Sequence, residues 1–172
     1  MKSITKESNG LAWLELAKTI LDQGHEMHDG DTKLLEFINV TLQVKKPSLK
    51  DVIIEKHCSP EMLQWMADNF REEKLVPELS QAKSYGWRLR NYEGQNQIQK
   101  IIDKLRKKRE SKSATITTLM ADDVSYVPCV SLLDWKVRNG QLLLFSTCRS
   151  LDVGRKMPAN LLELTRLHEE VA

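Results

Sequence analysis

The residue in this chain best suited to covalent chemistry is a cysteine that follows a proline, Pro128-Cys129. A cysteine reacts as its thiolate, and a neighbouring guanidinium favours the thiolate form. Arg149 offers such a guanidinium, one β-hairpin further along the chain. The hairpin is indicated by Asn139-Gly140, a strong turn signal between two apolar or alternating segments. Because a hairpin folds the chain back on itself, we expect Cys129 and Arg149 to be near neighbours.

A run of polar residues follows the hairpin. Arg149-Ser150-Leu151-Asp152 is succeeded by Pro158-Ala159-Asn160. Guanidinium groups, which can bond in a bidentate manner, and hydroxyl groups are the donors that phosphate recognition requires. The amide of Asn160 can both donate to and accept from the edge of a base. Together with the cysteine, these side chains predict a single nucleotide site.

The composition is that of an ordinary soluble protein, with 172 residues, 41% of them hydrophobic, 29% charged, and a net charge of +2. The near-zero charge argues against general nucleic-acid binding. The apolar runs are too short to span a bilayer, and charged residues interrupt any secretory signal at the N-terminus, so we expect a cytoplasmic location. Three cysteines do not suggest a disulfide framework.

Two charged or metal-ligating patterns have simpler interpretations. The basic residues between positions 100 and 109 could touch nucleic acid, but a solvated helix C-terminus explains them better. His25 and His28 have a helical spacing that could bind a metal, yet no third ligand lies nearby, and a solvated helix end is the preferred interpretation. We therefore expect neither a metal site nor a nucleic-acid partner.

Hydrophobic periodicity indicates alternating helices and strands. The predicted helices cover 12–23, 61–70, 95–109 and 159–171, and the predicted strands cover 34–44, 114–119, 131–138 and 141–148. The length suits one core. The order of elements predicts a single α+β domain over residues 1–172, with a mixed or antiparallel sheet flanked by helices.

The motifs, taken in order, resemble the thymidylate synthases and the related pyrimidine hydroxymethylases, especially the short archaeal type. The similarity covers most of the chain. It is carried by Glu36-Phe37-Ile38-Asn39-Val40, Tyr85-Gly86-Trp87-Arg88-Leu89-Arg90, Asn96-Gln97-Ile98, Ser111-Lys112-Ser113-Ala114, Pro128-Cys129, Arg149-Ser150-Leu151-Asp152 and Pro158-Ala159-Asn160.

The resemblance implies folate-dependent one-carbon transfer to C5 of a pyrimidine nucleotide, dUMP to dTMP, with 5,10-methylenetetrahydrofolate as cofactor. It assigns Cys129 as the nucleophile that adds to C6, which turns C5 into a nucleophile. The other matched residues take the remaining roles: Asn160 pairs with the base, Tyr85 joins the proton-transfer network, Arg149, Ser150 and Lys112 bind phosphate, Asp152 contacts the pterin, and Glu61 stands for the catalytic glutamate.

Three further expectations follow from the resemblance. An asparagine at position 160 favours uracil, whereas an aspartate would favour cytosine. In the family, each subunit lends basic residues to the other's phosphate site, so Arg88, Lys112 and Arg149 predict a homodimer. The family continues beyond the position that matches Ala172, so a C-terminally truncated, non-catalytic nucleotide-binding relative is an alternative, as is a cytidylate or uridylate hydroxymethylase.

Overall fold

The computed structural model describes residues 1 to 172, and helices and strands are interspersed along them. The α+β class is confirmed. The helices are α1 (Asn9–Gln23), α2 (Val52–His57), α3 (Pro60–Arg71), α4 (Tyr85–Arg90), α5 (Gln97–Lys107) and α6 (Met157–Val171), with a 3-10 turn at Pro77–Leu79. The strands are β1 (Lys2–Lys6), β2 (His25–Asp29), β3 (Thr32–Glu36), β4 (Val40–Val44), β5 (Leu75–Val76), β6 (Ala82–Lys83), β7 (Ala114–Thr117), β8 (Val130–Arg138) and β9 (Gln141–Cys148).

The strands form four small ladders. β1 and β4 pair in parallel, whereas β2 with β3 and β5 with β6 pair antiparallel. The largest ladder is antiparallel and has three strands in the order β7-β8-β9. The six helices are all too short or too polar to span a lipid bilayer.

The chain divides into two compact units. The first unit comprises Met1–Met62 and Asp152–Thr165, and the second comprises Leu63–Leu151 and Arg166–Ala172. The single domain over residues 1–172 stays a prediction.

In the first unit, one buried carboxylate caps two helices. Asp51 accepts the Ile53 and Ile54 N–H groups at the start of α2, at 3.0 and 3.3 Å. Its second oxygen accepts the Gly10 N–H in the first turn of α1, at 2.8 Å. The approach is so close that a Cβ on Gly10 would lie 2.4 Å from the carboxylate. Asp51 thereby satisfies three backbone donors that a helix start leaves without partners.

Other buried polar groups of the first unit are also used internally. The amide of Asn9 donates to the Ser48 carbonyl and to the Thr165 hydroxyl, each at 3.1 Å. The apolar residues buried in this unit are Ile4, Ala12, Leu16, Ile54, Met157 and Ala159.

The second unit is built around the hairpin of β8 and β9. Asn139 and Gly140 have φ values of 51° and 77°, as a two-residue turn of type I′ requires. Along β8, Leu133, Trp135 and Val137 are buried, and the intervening residues are more exposed. The hairpin predicted from Asn139-Gly140 is therefore confirmed.

The predicted helices are confirmed with small shifts at their ends, but two predictions for the first unit are wrong. The strand expected over 34–44 is broken, because Asn39 adopts the left-handed conformation (φ 59°) and separates β3 from β4. His25 and His28 do not lie on a helix; they belong to β2, opposite Glu36 and Lys33 of β3.

Candidate active site

Cys129 is half-buried and directly precedes β8. The hairpin places it opposite Arg149, whose backbone N–H donates to the Cys129 carbonyl at 2.9 Å. The expectation that these two residues are neighbours is therefore confirmed. The Ser150 hydroxyl lies 3.7 Å from the Cys129 Sγ, within reach of a weak hydrogen bond to sulfur.

The side chain of Arg149 holds the backbone that leads to the cysteine. Its guanidinium donates to the Val127 carbonyl at 2.6 and 3.1 Å and to the Pro128 carbonyl at 3.3 Å. These contacts orient Arg149 along the segment before Cys129. The guanidinium is thus a backbone clamp in this arrangement, a use that the motif alone did not indicate.

A β-bulge lies immediately after the cysteine. Val130 pairs with Cys148 and Leu132 with Thr147, so Ser131 is an extra residue on its strand. Val130 is fully buried, although strict alternation from Leu133 and Trp135 would place it on the other face. The bulge therefore changes the direction in which the residues before Ser131 point.

Tyr85 is anchored in the second unit by three contacts. Its hydroxyl accepts the Val130 N–H at 2.9 Å, its own N–H donates to the Asn69 amide oxygen at 3.1 Å, and its ring stacks on Phe70 with centroids 4.3 Å apart. Burial raises the pKa of Tyr85 well above its ordinary value. The hydroxyl consequently stays neutral and keeps a hydrogen to donate in a hydrogen bond, next to the residue that follows Cys129.

Sequence reasoning missed Tyr126, three residues before the cysteine. Burial, with a smaller contribution from the neighbouring Cys129, raises the pKa of Tyr126 to about 12. The only sequence signal was its place in the loop that ends at Pro128-Cys129.

The second thiol of this region belongs to Cys148, and burial raises its pKa above the ordinary value, so it is a weak nucleophile at neutral pH.

The remaining predicted residues of the second unit are basic. Lys112 is exposed in the loop between α5 and β7, and its carbonyl accepts the Lys136 ammonium at 2.8 Å. Arg88 was expected to reach a partner subunit's phosphate, and this expectation is wrong. Its side chain is only 2% exposed and forms an ion pair with Asp123 of the same chain, at 2.6 Å.

Three predicted residues belong to the first unit. Glu61 is exposed in the first turn of α3. Asp152 precedes α6, and its Oδ1 accepts the Arg155 N–H at 3.1 Å while its carbonyl accepts the Lys156 and Met157 N–H groups. Asn160 is 4% exposed, and its amide oxygen has no hydrogen-bond partner.

An orphaned buried oxygen is uncommon in folded proteins and calls for an explanation such as a water or a ligand. In Asn160 the unpartnered atom belongs to the side chain that the motif assigns to base recognition. Because a carbonyl oxygen can only accept, its partner must be a donor, an N–H or O–H group of a ligand or a water.

The Ser150 hydroxyl lies beside the Cys129 thiol, and the neutral Tyr85 bonds to the residue that follows the cysteine. Together with the Arg149 guanidinium along the preceding segment, these groups form a set suited to nucleophilic addition. A family profile described as thymidylate synthase matches residues 61–172. The chain belongs to the thymidylate synthase family.

Archaeal relatives extend the similarity over nearly the whole chain. Proteins of Methanosarcina mazei and Methanosarcina barkeri, each named "Putative thymidylate synthase", are 30% identical over 166 residues, covering 94% of this chain and 76% of the relative. A protein of the same name from Methanopyrus kandleri is 35% identical over 108 residues, covering 60% of this chain and 52% of the relative.

Proposed function

We propose that this protein transfers a one-carbon unit to C5 of a uracil nucleotide, dUMP to dTMP, through a Cys129 adduct at C6. The observation that carries the proposal is the surroundings of the thiol: Ser150 at 3.7 Å and Arg149 bonded to the segment before it, in the order found in the family. A thiolate that adds to C6 places negative charge on the ring, and C5 then attacks an electrophilic carbon.

The roles of the protein's own groups follow from their contacts. Cys129 supplies the electron pair that forms the bond to C6, and the same bond breaks when the product leaves. Tyr85 stays protonated because of its burial, so it can donate a hydrogen bond near the nucleophile, within the proton-transfer network that the resemblance implies. Arg149 and Ser150 are proposed to bind the phosphate of the substrate.

The residues fit the pyrimidine and the folate that the family implies. The unpartnered amide oxygen of Asn160 fits the N3–H of uracil, and its amide nitrogen can donate to O4. The exposed carboxylate of Asp152, fixed by the Arg155 N–H, fits a polar pterin edge. When bound, 5,10-methylenetetrahydrofolate supplies the one-carbon unit and, for methylation, the hydride.

The test is tritium release from C5 of labelled dUMP, UMP, dCMP and CMP in the presence of 5,10-methylenetetrahydrofolate. We expect release from dUMP and a product with the mass of dTMP. A hydroxymethyl product would replace this assignment with the hydroxymethylase alternative. Asn160→Asp supplies a matched control for the base: it should move the preference from uracil to cytosine, because a carboxylate accepts from the cytosine amino group. Unchanged preference would remove Asn160 from base recognition.

One observation favours a second candidate, a non-catalytic nucleotide-binding relative. The guanidinium of Arg149 is already bonded to two backbone carbonyls, which reduces what it can offer to a phosphate. Calorimetric titration with dUMP separates the two candidates. Binding of dUMP without tritium release supports the non-catalytic relative, whereas release supports the enzyme.

We also propose a homodimer. The largest ladder presents apolar side chains to solvent: Leu132, Leu143 and Phe145 are 37%, 39% and 55% exposed. Covering such a face is the usual role of an apolar C2 interface. Sedimentation at micromolar concentration should give the mass of two chains, and Phe145→Lys should shift it toward one. A folded wild-type monomer would contradict the dimer.

A further inference from the structure

The backbone N–H and carbonyl of Val130, the residue that follows Cys129, are both linked to helix α4, the first directly and the second through Thr118. The Tyr85 hydroxyl accepts the Val130 N–H at 2.9 Å. On the other side, the Thr118 hydroxyl donates to the Val130 carbonyl, and the Thr118 carbonyl accepts the Arg88 guanidinium at 2.8 Å. Tyr85 and Arg88 lie three positions apart on one helix, so a single element fixes the backbone next to the thiol from two directions.

Arg88 also binds a residue of the loop that leads to the cysteine. Its guanidinium forms a bidentate ion pair with Asp123, at 2.6 and 2.8 Å, and donates to the Lys83 carbonyl at 2.9 Å. The side chains of Arg88 and Asp123 are only 2% and 9% exposed. Asp123 in turn accepts the Met120 N–H at 2.8 Å, which closes the start of the loop.

Tyr126, Val127 and Pro128 at the end of the loop are half-buried or buried, but its first part has few apolar anchors. Between β7 and Cys129, Leu119 is 37% exposed and Val124 is 89% exposed. Burial alone would raise the pKa of Asp123, but the Arg88 guanidinium and the Met120 N–H hold it below its ordinary value, so the carboxylate stays charged in the pair. A buried ion pair adds little net stability compared with apolar packing, but its geometry is strict.

We propose that Arg88 and Asp123 are positioning residues that fix the loop over residues 119–128 and so orient the Cys129 thiol. The inference rests on the proposed function, in which Cys129 is the nucleophile. A displacement of about 1 Å at a reacting group can cost roughly 100-fold in rate, so a loosened loop should reduce turnover although every residue at the thiol is unchanged.

The test uses Asp123→Asn in the full chain, with Asp122→Asn as the matched control because Asp122 is its exposed neighbour. Alkylation by iodoacetamide is followed for each cysteine by peptide mass spectrometry, and Cys58 of the first unit serves as the internal reference. In Asp123→Asn we expect alkylation of Cys129 to rise about tenfold and that of Cys58 to stay within about twofold, because only the loop is released. The kcat of tritium release should fall at least about tenfold while KM stays within about threefold.

The split between faster alkylation and slower turnover distinguishes positioning from general stability, because general destabilisation would also speed alkylation of Cys58. Wild-type alkylation of Cys129 in a folded Asp123→Asn variant would overturn the proposal. If this variant does not fold, Thr118→Val decides, with Thr115→Val as its control, since it removes only the hydroxyl that bonds to the Val130 carbonyl. Faster alkylation of Cys129 together with a lower kcat in Thr118→Val, both by smaller factors, supports positioning. Wild-type rates of alkylation and turnover in Thr118→Val overturn it. If the wild-type protein releases no tritium, the proposed function fails, and the alkylation measurements still decide the positioning.

Discussion

Each unit of the molecule buries an aspartate, and the two carboxylates are used differently. Asp51 of the first unit binds three backbone N–H groups at the starts of α1 and α2. Asp123 of the second unit binds the charged side chain of Arg88 and lies in the loop before Cys129. The first carboxylate completes secondary structure, whereas the second holds the first part of a loop, where few apolar side chains are buried. The comparison indicates that changes around Asp51 should act on stability and changes around Cys129 on chemistry.

The largest effect should come from Cys129→Ser. We expect C5 exchange to fall to background while the dissociation constant for dUMP stays within a few-fold, because a hydroxyl is a far weaker nucleophile than a thiolate. Tritium release and calorimetric titration measure the two quantities. Cys148→Ser is the control and should retain most activity. Undiminished exchange in Cys129→Ser would remove this thiol from the mechanism.

Asp51→Ala tests the other side of the comparison. It leaves three N–H groups of helix starts without their partner, so we expect the free energy of unfolding to fall by about 2–4 kcal/mol. Urea unfolding provides the measurement, and Asp31→Ala, at an exposed turn, should change it little. Alkylation of Cys129 at low denaturant should be unchanged. A stable Asp51→Ala protein would show that water replaces the cap without penalty.

Gly86→Ala should affect both the stability of the protein and its chemistry, because Gly86 lies on α4 between Tyr85 and Arg88. A Cβ at this position would lie 2.3 Å from the Glu72 carbonyl oxygen, a backbone atom that cannot rotate away. We expect a loss of about 1–3 kcal/mol in unfolding free energy, together with reduced exchange as α4 shifts. Gly154→Ala is the matched control for stability, since its nearest atom would be 3.9 Å away. Equal unfolding midpoints for the two variants would contradict the clash.

The smallest effect should be on the pH dependence of the unfolding free energy, through His168 of the second unit. Burial lowers the pKa of His168, and its Nδ1 has no hydrogen-bond partner. The unfolded chain, with an ordinary histidine pKa of about 6.5, therefore takes up the proton first as pH falls, so stability decreases below that pH. His168→Gln should flatten the dependence of the unfolding free energy on pH between the ordinary and the lowered pKa. The exposed His57→Gln should keep it.

Local patterns in the sequence were enough to predict part of this arrangement. Asn139-Gly140 gave the hairpin, and the hairpin brought Arg149 to Cys129, because both depend on neighbours in the chain. Helix α4 was not predicted, since its start depends on Ser84 and on Asn69, which lies far away in the sequence. Arg88 was expected at a surface because its partner, Asp123, is also distant in the sequence, and no local pattern shows that the two residues pair.

The extra residue at Ser131 has a consequence for changes in chain length. Side chains of a strand alternate, so an odd number of inserted or removed residues reverses the face of everything on one side of the change. With Ser131 present, the buried positions at Trp135 and Leu133 and the buried Val130 are out of phase. Removing Ser131 would leave Val130 opposite Cys148 on the buried face, so strict alternation would return without turning Cys129 to the opposite face. The bulge is therefore the one place in β8 where the loss of a single residue keeps Cys129 on its face, whereas a loss elsewhere between Leu132 and Arg138 would reverse it.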